Sequence, residues 1–350
     1  MKPIRYIISR DKKPNGISNQ SNQFAEIFKD YLSYHVIRRW EKRIRGKAHF
    51  GFMSFALNRL APLKKAKGEI LHASDFGLIP HISDPIDIVE VWDLIPFKRL
   101  WTHQDKLFKS MYYCSFIPGA VKCDQIVVHS KTIQKDVKEY LNRDSLVIPA
   151  GVDTHSFRIL PNVKKEENSV LCVSGHYEHK NMLNLVESCG LASVRAGDIH
   201  LRIVGPIDDK SVSRMNEVAG NFPYLDIEHV GFVSHDFLIE LYNLSEIYCS
   251  LSMVEGFGLT PIESMACGTI PILSDIPCHK EIAGNYAFYV DGREPEQVAD
   301  MIFYNLDHEK FYTREMLRTY AEKYDWCNVI PQWVKLYSQY GVEINMDDLL

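Results

Sequence analysis

Two carboxylates, Glu255 and Glu263, bracket the run EGFGLTPIE, with Gly256, Gly258 and Pro261 between them. The preceding SEIYCSLS is an apolar run of strand length, and the following IESMACG is helix-like, so the segment reads as strand, glycine turn, helix. Glycine lets backbone come close to a ligand, and the first N–H groups of a helix, here at Leu259 and Thr260, attract an anion. A carboxylate before the turn and another about two helical turns after it can accept from hydroxyls on either side of that anion. A sugar nucleotide presents that order of groups: hydroxyls, a diphosphate, more hydroxyls. A glycine turn between two solvated glutamates would carry the same letters, so the surrounding residues decide.

A cation is available for the same site. In VLCVSGHYEHKNMLNLVES a buried strand ends at Ser174-Gly175, a short polar loop follows, and a helix is expected from about Asn181. Lys180 stands just before that helix, where its ammonium and the helix N-terminus can face one phosphate. The bland alternative is a solvated loop lysine. IVGPIDD and HVGFVSHD each put a glycine at the carboxyl end of a strand, where backbone must pass close to something. No Ser–His–Asp or Cys–His arrangement is evident, and there is no D-x-D metal motif; Asp208-Asp209 read as solvated loop residues. No metal and no cofactor are expected, the nucleotide sugar being a co-substrate.

Alternating strands and helices must position these groups. IRYIIS, HVIRRW, EILHAS, IDIVEVW, QIVVHS and LVIPAG read as strands in the first 150 residues, and SVLCVSG, IHLRIVG, LDIEHVG, EIYCSLS and TIPILS in the second half. NQFAEIFKDYL, KTIQKDVKEYLN, NMLNLVESCGLASV and HDFLIELYNL have helical spacing. Two such alternating sets predict two doubly wound α/β domains with parallel sheets. The polar stretch GVDTHSFRILPNVKKEENS reads as the linker, ending near Ser169. The boundaries expected are 1–155 and 156–327, with a C-terminal helix at about 328–345 returning to the first domain and Trp326 and Trp333 as packing residues. Ligands of doubly wound sheets bind beyond the strands' carboxyl ends, so a deep cleft between the halves is expected.

Bulk properties narrow the class. The 350 residues carry a net charge of −5, 46% hydrophobic and 24% charged residues, an ordinary balance that argues against a general nucleic-acid binder. Eight cysteines include no C-x-x-C pair and mostly sit in apolar runs, so neither zinc nor a disulfide framework is expected. No stretch approaches the length of a membrane-spanning helix, and the charged MKPIRYIISRDKK lacks a signal-peptide core. A reducing, cytoplasmic setting is the expectation.

The ordered series VVHSKTIQKDV, VIPAGVDTHSF, SGHYEHKNMLNLVE, LRIVG, VGFVSHDFLIELYNLSEIYCSLSMVEGFGLTPIESMACGTIPILSD, IPCHKEIAG, AFYVD and WCNVIPQWVKLY resembles the retaining, GT-B-fold glycosyltransferases of family four, the group 1 glycosyl transferases. It covers about residues 125 to 340; the first 120 residues match only loosely. The resemblance implies a metal-independent hexosyltransferase that moves a hexose from a UDP- or GDP-linked sugar to a glycan or lipid-linked acceptor. It implies front-face transfer, in which the departing diphosphate helps take the acceptor's proton and the protein works by positioning and charge stabilisation. By the same resemblance Lys180 neutralises the diphosphate, Glu255 binds hydroxyls of the transferred sugar, and Gly256, Phe257, Gly258 and Leu259 supply backbone donors. Thr260 adds a phosphate contact, Glu263 binds the ribose, backbone at Phe232 and Val233 meets the base, and Gly16 in PNGISNQ resembles a glycine loop that approaches the donor.

Two positions depart from the pattern. Where relatives place an arginine near the lysine, this loop has His176 and His179, whose imidazoles are only partly charged near neutrality. In VWDLIP, Trp92 stands where relatives read a histidine that contacts the donor sugar; it can stack on a sugar or fill a core, and Asp93 keeps the adjacent carboxylate on the donor or acceptor side. A non-catalytic member that binds a nucleotide sugar or a partner enzyme is therefore the alternative. On the acceptor side, residues 38–67 hold ten Lys or Arg against one acid, Glu41, interleaved with Phe50, Phe52, Met53 and Phe55. Such a run fits an anionic membrane surface, with peripheral attachment at its inner face, or a core helix with a solvated basic face. A nucleic-acid backbone as its partner is disfavoured by the net charge.

Overall fold

A computed structural model of the chain describes residues 4–10, 16–38, 64–75, 85–95, 122–175 and 177–349. Contacts divide the chain into two units, Met1–Gly151 with Cys327–Leu350, and Val152–Trp326. His176, residues 11–15 before Gly16 and nearly all of the basic segment (39–63) lie outside the described residues.

In the first unit, β1 (Ile4–Arg10), β2 (Leu32–Arg38), β3 (Ile70–Ala73), β4 (Ile88–Val91), β5 (Gln125–Val128) and β6 (Leu146–Val147) form one sheet in the order β2-β1-β3-β4-β5-β6. Every pairing is parallel. Parallel sheets are covered on both faces, which is why the central strands are short, almost wholly apolar words buried along their whole length. Among the helices are α1 (Gly16–Ile27) and α2 (Lys131–Leu141), the latter capped by Ser130, whose hydroxyl accepts from Ile133 N at 3.1 Å.

The second unit is built from β7 (Glu166–Val173), β8 (Ile199–Val204), β9 (Leu225–Gly231), β10 (Ser245–Ser250), β11 (Ile270–Ser274) and β12 (Phe288–Val290). Their order is β12-β11-β10-β7-β8-β9, all parallel, so the winding direction reverses between β7 and β10. The helices are α3 (Met182–Ala196), α4 (Asp209–Ala219), α5 (His235–Leu244), α6 (Leu259–Ala266), α7 (Pro277–Ala283), α8 (Pro295–Asp307) and α9 (Arg314–Ala321). Val170, Leu185, Leu201, Ile247, Ile272 and Ile302 are among the residues of its buried core. The α/β class with two doubly wound parallel sheets is as expected.

Some local expectations are revised. Asp208 and Asp209 do not lie in a loop: Asp208 is the N-cap of α4, accepting from Ser211 N at 2.8 Å, and Asp209 is its first residue. The stretch read as a linker is fastened to the second unit. Val152 N donates to Tyr324 O at 2.8 Å, Thr154 binds Asp325 at 2.5 Å, and β7 starts at Glu166, inside the stretch. Asn243, fully buried, accepts from Leu160 N at 2.8 Å and Arg314 at 2.7 Å and donates to Arg158 O at 2.9 Å, tying that stretch to α5 and α9.

The last helix, α10 (Trp326–Gln339), gives its buried face to the first unit from Cys327 on. Trp333, 2% exposed, packs edge-on against Phe24 of α1, and the Tyr337 hydroxyl lies 2.7 Å from His72 Nδ1 on β3. His72 Nε2 in turn lies 3.1 Å from Glu90 Oε1 on β4, which also accepts from the Tyr6 hydroxyl at 3.1 Å. His129, just past β5, completes the cage 3.2 Å from Glu90 Oε2. Burial pushes the Glu90 carboxyl up, but His129 and His72 outweigh it and leave it below its ordinary value. Buried thiols are raised, Cys172 and Cys267 to about 12, which keeps them protonated and inert. No helix among the described residues is long and apolar enough to cross a membrane.

Removing a caged carboxylate leaves its buried partners uncompensated, so Glu90→Ala is expected to cost about 3–5 kcal/mol by denaturant unfolding. With its folded value depressed, the stability Glu90 contributes is complete above its unfolded value near 4.5 and is lost as pH falls through the folded value. Acid unfolding of the variant should lack that step.

Candidate functional site

Where a doubly wound sheet reverses, the loops leaving the two central strands splay apart and open a crevice at their carboxyl ends. Here those are the loop after β7, which holds Lys180, and the loop after β10, which holds Glu255. A backbone bond from Met253 N to His179 O at 2.7 Å joins them. Lys180 Nζ stands 2.5 Å from Glu255 Oε1, with the side chains 21% and 15% exposed: partly dried, yet reachable by a ligand. Burial works to raise the Glu255 carboxyl; the Lys180 ammonium and hydrogen bonds from Lys180 and Ser252 outweigh it and hold it ionised below its usual value. The neighbouring His179, half-buried and stacked on Tyr177, is lowered by burial and by Lys180, with Glu255 opposing.

The backbone that carries Lys180 is fixed by two amides. A short 3₁₀ turn, Glu178–Lys180, ends at Asn181 in the left-handed conformation (φ 56°). Asn181 and Asn184 both donate to Gly292 O, at 2.6 and 3.1 Å.

The glycine loop is fixed from below by α7. Cys278 Sγ donates to Phe257 O at 2.9 Å, and Phe257 is buried edge-on against Tyr324. Gly258 has φ +95°, and a Cβ there would sit 2.8 Å from Ile282 Cδ1, so only glycine fits the turn. It caps α6 without any side-chain acceptor, leaving the first N–H groups of that helix open to an anion. Thr260 Oγ1 lies 2.7 Å from the Tyr248 hydroxyl, and Glu263 Oε2 accepts from the buried Tyr242 hydroxyl at 2.9 Å. Burial raises the Glu263 carboxyl to about 7, against that hydrogen bond.

At the same edge, Gly205 has φ +133°, and a Cβ there would meet Ser174 O at 2.2 Å. The glycine is needed because neighbouring strand ends are laced together, Ser174 N to Val204 O and Gly205 N to Gly231 O, both at 2.8 Å. Beyond β9, Phe232 is 50% exposed and Val233 half-buried. Lys180, His179, Glu255, Gly256 to Thr260, Glu263, Phe232 and Val233 thus share the carboxyl edge of one sheet.

The remaining candidates belong to the first unit. Gly16 is the first residue of α1. Trp92, at the carboxyl end of β4, is 8% exposed; its Nε1 donates to Ser74 O at 2.9 Å and its ring lies on His129 with centroids 3.8 Å apart. Asp93 Oδ1 accepts from Ile95 N at 3.0 Å. Among the described residues no group of three or more His, Cys, Asp or Glu could hold a metal ion. Ser252, Ser274, Cys278, His279 and Tyr242, which support the site, lie within the quoted family-like words, but their residue types and spacing assign them no role.

Residues 155–324 match the family model described as glycosyl transferases group 1. They form a group 1 glycosyltransferase domain. The chain is 28% identical over 204 residues to the O-antigen chain mannosyltransferase RfbU of Salmonella typhimurium, covering 58% of this chain and 56% of that one. It is 25% identical over 210 residues to the phosphatidyl-myo-inositol mannosyltransferase of Mycolicibacterium smegmatis, covering 57% and 53%. The chain therefore spans about half the length of these curated relatives. Among solved structures, Anabaena Alr3699/HepE in complex with UDP and glucose superposes with a TM-score of 0.73 at 14% identity, over 97% of this chain and 100% of that one. That likeness establishes the GT-B fold.

The raised Glu263 carboxyl has a testable sign. Its folded value lies above its unfolded value of 4.5, so the stability linked to its proton is complete below 4.5 and is lost as pH rises through about 7. Glu263→Gln, which cannot ionise, should keep that stability, at most about 3 kcal/mol, up to pH 8. Melting temperatures of both proteins from pH 5 to 8 check this, and parallel curves would refute it.

Proposed function

We propose that this chain transfers a hexose, mannose foremost, from a nucleotide-diphosphate sugar to a glycan or lipid-linked acceptor, with retention at the anomeric carbon. The observation that carries the reading is the Lys180–Glu255 contact at the sheet reversal, beside the uncapped N-terminus of α6. Mannose is favoured because both sequence relatives named above are mannosyltransferases, and the lipid-linked acceptor because one of them acts on phosphatidyl-myo-inositol.

In this reading the unliganded ion pair is a placeholder. An incoming diphosphate, with more negative charge than one carboxylate, draws Lys180 to itself and occupies the open N–H groups of α6. Glu255, released but still ionised, then accepts from hydroxyls of the sugar. Glu263 accepts from the ribose, losing its proton as it does so, and the exposed ring of Phe232 lies where a base can stack. Lys180 and the helix N–H groups stabilise charge on the departing diphosphate, which takes the acceptor's proton. Trp92, its ring face on His129 and its N–H on Ser74, serves the packing of the first unit.

Glu255→Ala should lower kcat/KM for transfer by 100-fold or more, on the order of 3 kcal/mol, with the fold intact by circular dichroism. Lys180→Ala should raise the Kd for nucleoside diphosphate by roughly 10-fold or more in calorimetry. Unchanged turnover in the first variant or unchanged affinity in the second would remove the assignment. The basic, aromatic residues 38–67 are proposed to rest on an anionic membrane. Flotation with phosphatidylglycerol vesicles at low salt should then carry the protein, falling steeply as salt rises; no flotation at low salt ends that idea.

A further inference from the structure

His279, on α7, is fully buried and plays no part in the scheme above. Its Nδ1 lies 3.0 Å from Ser274 O and 3.1 Å from Ser274 Oγ. A carbonyl oxygen only accepts, so Nδ1 must carry the ring's proton. The Ser274 hydroxyl gives its own hydrogen to Ser252 O, so it too faces Nδ1 as an acceptor. The Ser252 hydroxyl donates to Glu255, and His279 thereby anchors a short chain of bonds that ends on that carboxylate.

The tautomer fixes what the other nitrogen can do. With Nδ1 protonated, Nε2 of the neutral ring is a bare acceptor, and it is buried with no protein partner. The ring stands within electrostatic reach of both Glu255 and Lys180, and burial, which outweighs the carboxylate's pull, favours its neutral form. A buried acceptor left unfilled costs about 1–3 kcal/mol, and native proteins fill nearly all of them. Neither neighbour fills this one: ionised Glu255 has no hydrogen to give, and Lys180 is held by Glu255. A hydroxyl can supply the hydrogen that this acceptor takes.

We propose that His279 Nε2 accepts a hydrogen bond from a second hydroxyl of the transferred sugar, beside the one held by Glu255, making His279 a specificity-determining residue for the donor. This rests on the transferase reading above and extends it. A carboxylate and a neutral imidazole are both acceptors, so together they select a sugar that offers two hydroxyl hydrogens. A donor lacking one of them leaves Nε2 empty again and is rejected.

The test compares wild type, His279→Phe and His279→Gln on free nucleoside diphosphate, on the nucleotide sugar that wild type turns over, and on its monodeoxy analogues. His279→Phe should lower kcat/KM for the full sugar by roughly 10- to 100-fold while the Kd for free nucleoside diphosphate stays within about 2-fold. For one monodeoxy donor, wild type and His279→Phe should perform alike, and His279→Gln, which keeps an acceptor, should regain part of the discrimination. Equal losses on every donor, or a loss that extends to free nucleoside diphosphate, would show that the ring only packs and would overturn the proposal. No loss at all would overturn it too. A wild-type chain that binds free nucleoside diphosphate and no nucleotide sugar would instead remove the transferase reading on which it stands.

Discussion

The second unit depends on one topological constraint: β10 is laid down on the far side of β7 from β8. With that reversal, a gap opens along the carboxyl edge between the loops of β7 and β10. Oppositely charged side chains on the two lips then meet across it, and the Lys180–Glu255 contact is the result. Any ion pair in a partly dried crevice must offset the water both groups give up, and this one has few bonds besides its own. It is poised for exchange with a better anion rather than built for stability.

Much of the support for the crevice comes from the short helix behind it. The short helix α7 holds the glycine loop by a thiol and the Ser252–Ser274 pair by an imidazole. Its far end is fastened by tyrosine hydroxyls, Tyr320 and Tyr324 donating to Ile282 O and Tyr289 to Gly284 O. Seven residues thus set the position of the ligand-facing backbone. The turn's mobility is removed by groups with no charge to lose, which leaves the charged pair free to respond to a ligand.

How much of this could be read from letters follows from range. Strands such as VLCVS and IYCSLS declare themselves because burial on both faces demands a continuous apolar word, and the glycine turn before α6 because it forbids a side chain. FYV of β12 is too short to be distinctive, and the polar start of α4 looks like a loop until Asp208 is seen to cap it. At Trp92 the letters allow both stacking and packing, since the choice is made by His129, just past the neighbouring strand β5. The role of His279 is illegible in the letters for a sharper reason. Its role depends on which of two ring nitrogens meets a carbonyl, and no one-dimensional pattern encodes that.

The first unit is discontinuous: its sheet comes from the beginning of the chain, while Trp333 and Tyr337, which seal Phe24, His72 and the caged Glu90, come from the end. A ribosome releases the chain from its amino terminus onward. The second unit, uninterrupted from Val152 to Trp326, is complete before the last helix emerges, whereas the earlier-born sheet must wait for it with an aromatic surface uncovered. Birth order and maturation order of these two units are therefore opposite, and loss of Cys327–Leu350 would strike the unit whose sheet is made first.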